Sequence, residues 1–292
     1  MAKETGIQWT DHTANFWWGC FKVSPGCQHC YADTLAKRYG KSIWGPVKTT
    51  DRELKKGIWK ELPKWNREAK ESGQRKRVFV MSMGDFFEEH PQVTEWRDRA
   101  LALVQECTSL DFQILTKRPE NVVRMIEMAN SHSFSDAEMW FYAYPHVWIG
   151  TSVENQEQAD KRIPELLNIP AKVRFLSCEP LLGEVDLRSQ EFTERGLTIG
   201  HDWLTGEEWQ HSNIFGGGKN IWEYDPGFDD YGEKRIHWVI VGGESGHGKR
   251  PFNSDWARSV RDQCKSAGVP FFMKQMDKVQ PIPDDLMIRE YP

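Results

Sequence analysis

Short apolar runs recur along the chain, and each closes on a small group of polar or glycine residues before a stretch of helical period. The first run, Phe16-Trp17-Trp18, predicts a buried strand, and Tyr31 to Tyr39 predicts a helix ending near Gly40. Residues 41–76 are basic, carry tryptophans and read as partly helical. Further strands are predicted at Arg77–Met83, Phe112–Thr116, Val147–Gly150, Val173–Ser177, Ile236–Val241 and Val269–Lys274. Helices are predicted at Gln92–Cys107, from Pro119 onward, at Gln156–Leu167 and at Ser254–Ala267, with His132–Tyr144 left irregular. Strand–helix alternation of this kind predicts an α/β chain with a parallel sheet and right-handed crossovers. We therefore expect a (β/α)6-type partial barrel with an extra C-terminal strand in one domain, 1–292, interrupted by an acidic insertion at 184–235. A doubly wound open sheet would also gather strand ends on one side. The glycine-rich Gly242–Gly248 departs from the dinucleotide-binding fingerprint.

Charge modifies this picture. The net charge of the 292 residues is −5, but Lys37 to Arg77 hold fourteen Lys/Arg against five Asp/Glu. From Glu184 to Arg235 the balance reverses, with twelve acidic against five basic residues. The basic stretch could follow a phosphate backbone, with Trp44, Trp59 and Trp65 as stacking faces. It could equally be a solvated amphipathic helix, DRELKKGIWKELPKW, with its tryptophans turned inward. No apolar run reaches transmembrane length and the N-terminus is polar, so a cytoplasmic, membrane-free protein is expected.

Three of the six cysteines are clustered, as Cys20-x6-Cys27-x2-Cys30, directly after the first predicted strand. Pro25 and Gly26 favour a turn that could bring the sulfurs to one point. Three thiolates suit an iron–sulfur cluster with one open iron, or zinc with a fourth ligand elsewhere. An odd number of thiols in a reducing compartment argues against disulfides. Cys107 and Cys264 lie in predicted helices and read as structural. The other polar signatures also fall at strand ends: Ser82–Asp85, Thr116–Arg118, Thr151–Glu154, Ser177–Glu179 and Gly242–Ser245.

A three-cysteine motif after the first strand of such a chain resembles the radical S-adenosylmethionine superfamily, although the first gap is six rather than three residues. The whole chain resembles, more closely, a phage and bacterial family of three-cysteine-motif proteins. The resemblance is carried by Gln8–Asp11, Gly19–Ala32, Leu115–Pro119, Gly150–Glu154, Ser177–Leu182, Val241–Gly246 and Phe271–Gln275. It implies a barrel of the radical S-adenosylmethionine kind in which Cys20, Cys27 and Cys30 bind a [4Fe–4S] cluster. S-adenosylmethionine on the fourth iron would then yield a 5′-deoxyadenosyl radical, with the electron coming from an external donor. Placement adds further expectations. Ser82, Asp85, Ser152 and Glu154 hold the methionine and ribose groups or merely cap strand ends. His29 contacts the adenine and Tyr31 packs beside the cluster. Lys117 and Arg118 meet a substrate phosphate or carboxylate, or form a surface ion pair. Glu179 and Glu244 orient the substrate. Cys178 donates a hydrogen atom, or is a small buried apolar residue. The expected substrate is a nucleic-acid base or nucleotide reached through residues 37–77, with a peptide as rival. A zinc-stapled nucleic-acid binder without catalysis is the competing class.

Overall fold

The computed structural model describes residues 5–292 apart from 131–132, 135, 189, 195–196, 213–219, 223–233 and 247. Seven strands form one sheet: β1 (His12–Ala14), β2 (Lys76–Val80), β3 (Leu110–Thr116), β4 (Val147–Ser152), β5 (Arg174–Cys178), β6 (Trp238–Gly242) and β7 (Phe271–Gln275). They hydrogen-bond in chain order and every pair is parallel. A doubly wound sheet reverses its order at a switch point. This one never does, so the open-sheet alternative falls.

The sheet is curled. Phe79 of β2 and Trp238 of β6 are four strands apart, about 19 Å in a flat sheet. Both nevertheless touch the ring of Trp9, at centroid distances of 4.6 and 6.1 Å. Trp9, Phe79, Phe175, Trp238, Ile240 and Phe272 form the inner core of this half-barrel. Gly150 on β4 has no side chain because the Phe175 ring occupies its place; a Cβ there would lie 2.4 Å from two ring carbons. Gly150→Ala is expected to cost about 1–3 kcal/mol through overpacking, measurable by urea unfolding.

The outer face carries the larger core, where Val78, Val80, Ile114, Leu176, Val239 and Met273 meet the helices. These are α1 (Tyr31–Arg38), α2 (Ile58–Ser72), α3 (Pro91–Glu106), α4 (Val122–Asn130), α5 (Ala137–Ala143), α6 (Gln156–Leu167) and α7 (Ser254–Ala267). Local chemistry sets their ends. Asn155 and Asn253 cap α6 and α7 by accepting from the N–H groups of Gln158 and Asp255. Gly73 and Gly268 close α2 and α7 in left-handed backbone. No described helix is long and apolar enough to cross a membrane.

Two sequence expectations change. The first barrel strand is His12–Ala14, whereas Trp17–Trp18 pairs antiparallel with Glu53–Leu54 in a side ribbon. The stretch expected to be irregular contains α5. Between β5 and β6 the insertion supplies antiparallel strands instead of a crossover helix: Gln190–Glu194, Leu197–His201, Glu208–Ser212 and Asn220–Trp222. Its Gly216–Gly218 run lies outside the described residues.

β1 and β7 are not paired with each other. Residues 288–291 bridge the gap at the strands' N-terminal end. Met273 donates to the Ile288 carbonyl, and Trp238 Nε1 donates to the Glu290 carbonyl at 2.9 Å. Arg289 and Tyr291 then donate to the side chain and carbonyl of Gln8, at 2.9 and 3.2 Å. The base is thereby closed, which leaves the opposite end for a site.

Candidate functional site

At the C-terminal ends of the strands lies a chamber of about 840 Å³. The loop Cys20–Cys30 forms one side of it, and all three thiols, each half-buried, line it. Cys20 pairs through its backbone with Trp44, Pro25–Cys27 makes a 3-10 turn, and Cys30 sits at the start of α1. Burial pushes the Cys30 thiol up, while the N–H groups of Ala32 and Asp33 pull the other way. Among the described residues no three His, Cys, Asp or Glu side chains come together as a single metal ion requires.

Four carboxylate–cation groups seat this loop, and they take up most of the strand-end polar residues. Asp85, beyond β2, accepts from Thr116 Oγ1 at 2.6 Å, from the N–H of Lys117 and Phe87 at 3.0 and 3.1 Å, and from Arg118 Nη1 at 2.6 Å. Burial opposes its charge, but Arg118 and these donors hold it below the usual carboxylate range. Arg118 in turn lies with its two terminal nitrogens 3.8 and 3.9 Å from Cys20 Sγ. Its Nη2 also donates to the Phe21 carbonyl at 3.1 Å. Glu88 accepts from the Phe21 N–H at 3.0 Å and from Arg52 at 2.8 and 2.9 Å, with both side chains fully buried.

Glu154, at the end of β4, is equally buried. It accepts from Ser24 Oγ at 2.8 Å, Lys117 Nζ at 3.1 Å and Arg162 Nη1 at 2.9 Å. Burial again opposes its charge, and Lys117 and Arg162 hold it ionised. Gly26 makes the approach possible, since a Cβ there would lie 2.4 Å from the Glu154 side chain. Glu244, after β6, binds Arg250, which reaches the Pro25 carbonyl at 3.0 Å and Gln28 Oε1 at 3.4 Å.

Ion pairing thus occupies several of the expected site residues. Asp85, Glu154 and Glu244 are each ion-paired in seating the loop, and Asp85 and Glu244 also line the chamber. Lys117 and Arg118 form the ion-pair alternative, with Glu154 and Asp85, and both also line the chamber. Cys178 does not line the chamber. Strand alternation turns it outward with Leu176 into the helix-side core, beside Cys264 of α7, where burial pushes its thiol up to about 12. Trp59 packs on Phe16 away from the chamber, whereas Trp65, stacked on His12 at 4.3 Å, lines it. Trp44 does line the chamber.

Other expected residues also reach the chamber. Ser152, Glu179 and Ser82 line it, as do His29 and Tyr31. The Tyr31 hydroxyl donates to the Ser82 carbonyl at 2.7 Å, and the Ser82 hydroxyl is held by Asn15 at 3.0 Å. Glu179 is bound at both oxygens by Lys274 of β7, at 2.6 and 2.7 Å, across Gly242. Ser177, on β5 beside Ser152 in register, also faces inward and lines the chamber. Sequence reasoning missed Arg162 and Arg250, and also Arg52, Glu88 and Lys274, whose partners lie 36 to 95 residues away. Ser177 had a readable signal, since alternation places it on the same face as Glu179.

A family model described as a protein of unknown function (DUF5131) matches residues 4–285. No curated protein and no solved structure matches the chain. Because the match takes in the strands, the three-cysteine loop and the residues that seat it, the chain belongs to the DUF5131 family.

Proposed function

We propose that the protein is an enzyme of the radical S-adenosylmethionine kind, with Cys20, Cys27 and Cys30 as ligands of a [4Fe–4S] cluster. The observation that carries this reading is the position of three thiols on one loop at the C-terminal mouth of a singly wound, parallel half-barrel. The donor set fits the group. Thiolates sharing one tetrahedral zinc at 2.3 Å stand about 3.8 Å apart. In a polynuclear cluster each thiolate takes its own iron, and the sulfurs stay separate while facing a common space. A zinc staple takes four protein ligands, whereas this loop offers three thiols, which suits a cluster with one open iron. When bound, such a cluster supplies the electron that cleaves the sulfonium of S-adenosylmethionine and opens the way to hydrogen abstraction from a substrate.

The chain's own residues bind, orient and exclude water. The four carboxylate–cation groups fix the loop from below, so the thiols are pre-organised. Ser152, Ser177 and the Glu179–Lys274 pair form a polar wall suited to hydroxyl and amino groups of a bound ligand. Trp9, Phe79, Met81 and Leu115 give the wall an apolar base. Around the mouth, Trp18 carries Lys55 Nζ 3.5 Å above its ring and lies 6.1 Å from the exposed ring of Tyr39. This aromatic and cationic rim favours a nucleic-acid base or nucleotide as substrate over a peptide.

Anaerobic reconstitution with iron and sulfide tests the class. We expect about four irons per chain, as [4Fe–4S] stoichiometry requires, with 5′-deoxyadenosine formed on adding dithionite and S-adenosylmethionine. Both should be lost in Cys27→Ala. Tightly held zinc and no iron would overturn the proposal.

A further inference from the structure

On the reading of the three thiols as cluster ligands, on which this rests, we infer that Arg118 is a positioning residue. Held by Asp85, it sets the charge and orientation of the Cys20 corner and raises the reduction potential of the bound group.

The three thiols have unequal surroundings. Cys27 has the neutral hydroxyl of Ser24 at 3.8 Å. Cys30 faces the first backbone N–H groups of α1. Among the described residues only Cys20 has a side-chain cation within hydrogen-bonding range of its sulfur, through both terminal nitrogens of Arg118. The guanidinium has no freedom to leave. Nη1 is tied to Asp85 at 2.6 Å, Nη2 to the Phe21 carbonyl at 3.1 Å, and the guanidinium carbon lies 4.4 Å from the Phe21 ring centroid. Asp85 is itself fixed by three further donors. Arg118 is 4% exposed, so salt and water screen it little.

N–H···S bonds and a nearby positive charge stabilise the added electron of a reduced cluster more than the oxidised form. A potential is therefore expected to be more positive with Arg118 than without it. A plain packing role, in which Arg118 only ties the loop in place, predicts lower iron content with no shift in the potential of the cluster that remains.

The test is a redox titration followed by electron paramagnetic resonance on reconstituted wild-type, Arg118→Lys and Arg118→Gln proteins, with iron and sulfide content measured on each. The expected result is a midpoint shifted to more negative potential in Arg118→Gln. A smaller shift is expected in Arg118→Lys, which keeps the charge but not the paired donors. If the glutamine variant fails to fold, the lysine variant carries the measurement. Full iron content with unchanged midpoints would overturn the inference and leave the cluster reading standing. Wild-type protein that holds no iron would overturn that reading, and this inference with it.

Discussion

Glu154→Ala is expected to lower the unfolding free energy by about 3–5 kcal/mol, the usual cost of removing one member of a buried ion pair. The wild-type carboxylate is fully buried and compensates Lys117 and Arg162 at once. Without it, two cations face each other in a low-dielectric setting and Ser24 loses its acceptor. The damage should also be local, because Ser24 and Gly26 sit between two of the three thiols. Iron uptake should therefore fall in protein that is still folded. The pH dependence has a definite sign. The folded pKa of Glu154 is depressed, as is that of Asp85. Their contribution is present above the unfolded values, about 4.3 and 3.9. It is lost as pH falls through the depressed folded values. Wild-type stability should thus drop steeply below about pH 4, and the Glu154→Ala curve should be flatter over the same window. Urea unfolding at pH 7 and at steps from pH 5 downward would check both. Parallel curves would refute the assignment.

Arg52→Met is expected to destabilise the protein by a similar amount, about 3–5 kcal/mol. Arg52 and Glu88 have no exposed side-chain surface, and the guanidinium also donates to the Thr50 and Gly45 carbonyls at 2.8 and 3.2 Å. Removing the arginine leaves a buried carboxylate whose other partner is the Phe21 N–H. The double variant Arg52→Met/Glu88→Leu should recover much of the loss, because no charge is then stranded. A double-mutant cycle from denaturant unfolding measures this coupling. Additive losses would show that the two side chains act independently.

Much of the architecture was legible because β2 to β7 are buried on both faces and read as apolar runs. β1 was not. Thr13 faces the chamber, and only Ala14 of the strand joins the outer core, so His12–Ala14 lacks an apolar signature. The stronger apolar run follows it at Phe16–Trp18, and Trp17–Trp18 belongs to the side ribbon instead. The location of the site could also be read, since polar residues do gather at the strand ends. The role of each could not. A glutamate at a strand end reads the same whether it faces a ligand or an arginine from a distant segment. Glu88 illustrates this, for only the fold brings Arg52, 36 residues away, to it. Cys178 was misplaced for a simpler reason: the alternation already visible in Arg174–Cys178 points it away from the mouth.

The lock between Gln8 and the segment Arg289–Tyr291 bears on how the chain acquires its shape. These contacts join residues 281 and 283 positions apart. Such a closure yields little until nearly every intervening unit has formed, because its loop entropy is repaid only by an assembled sheet. The seam between the outer strands is thus the step that folding reaches late, and until then the edges of β1 and β7 stay open to pairing with other chains. Yield on refolding should accordingly be limited by concentration and by the speed of this last ring closure more than by the intrinsic strength of any single layer.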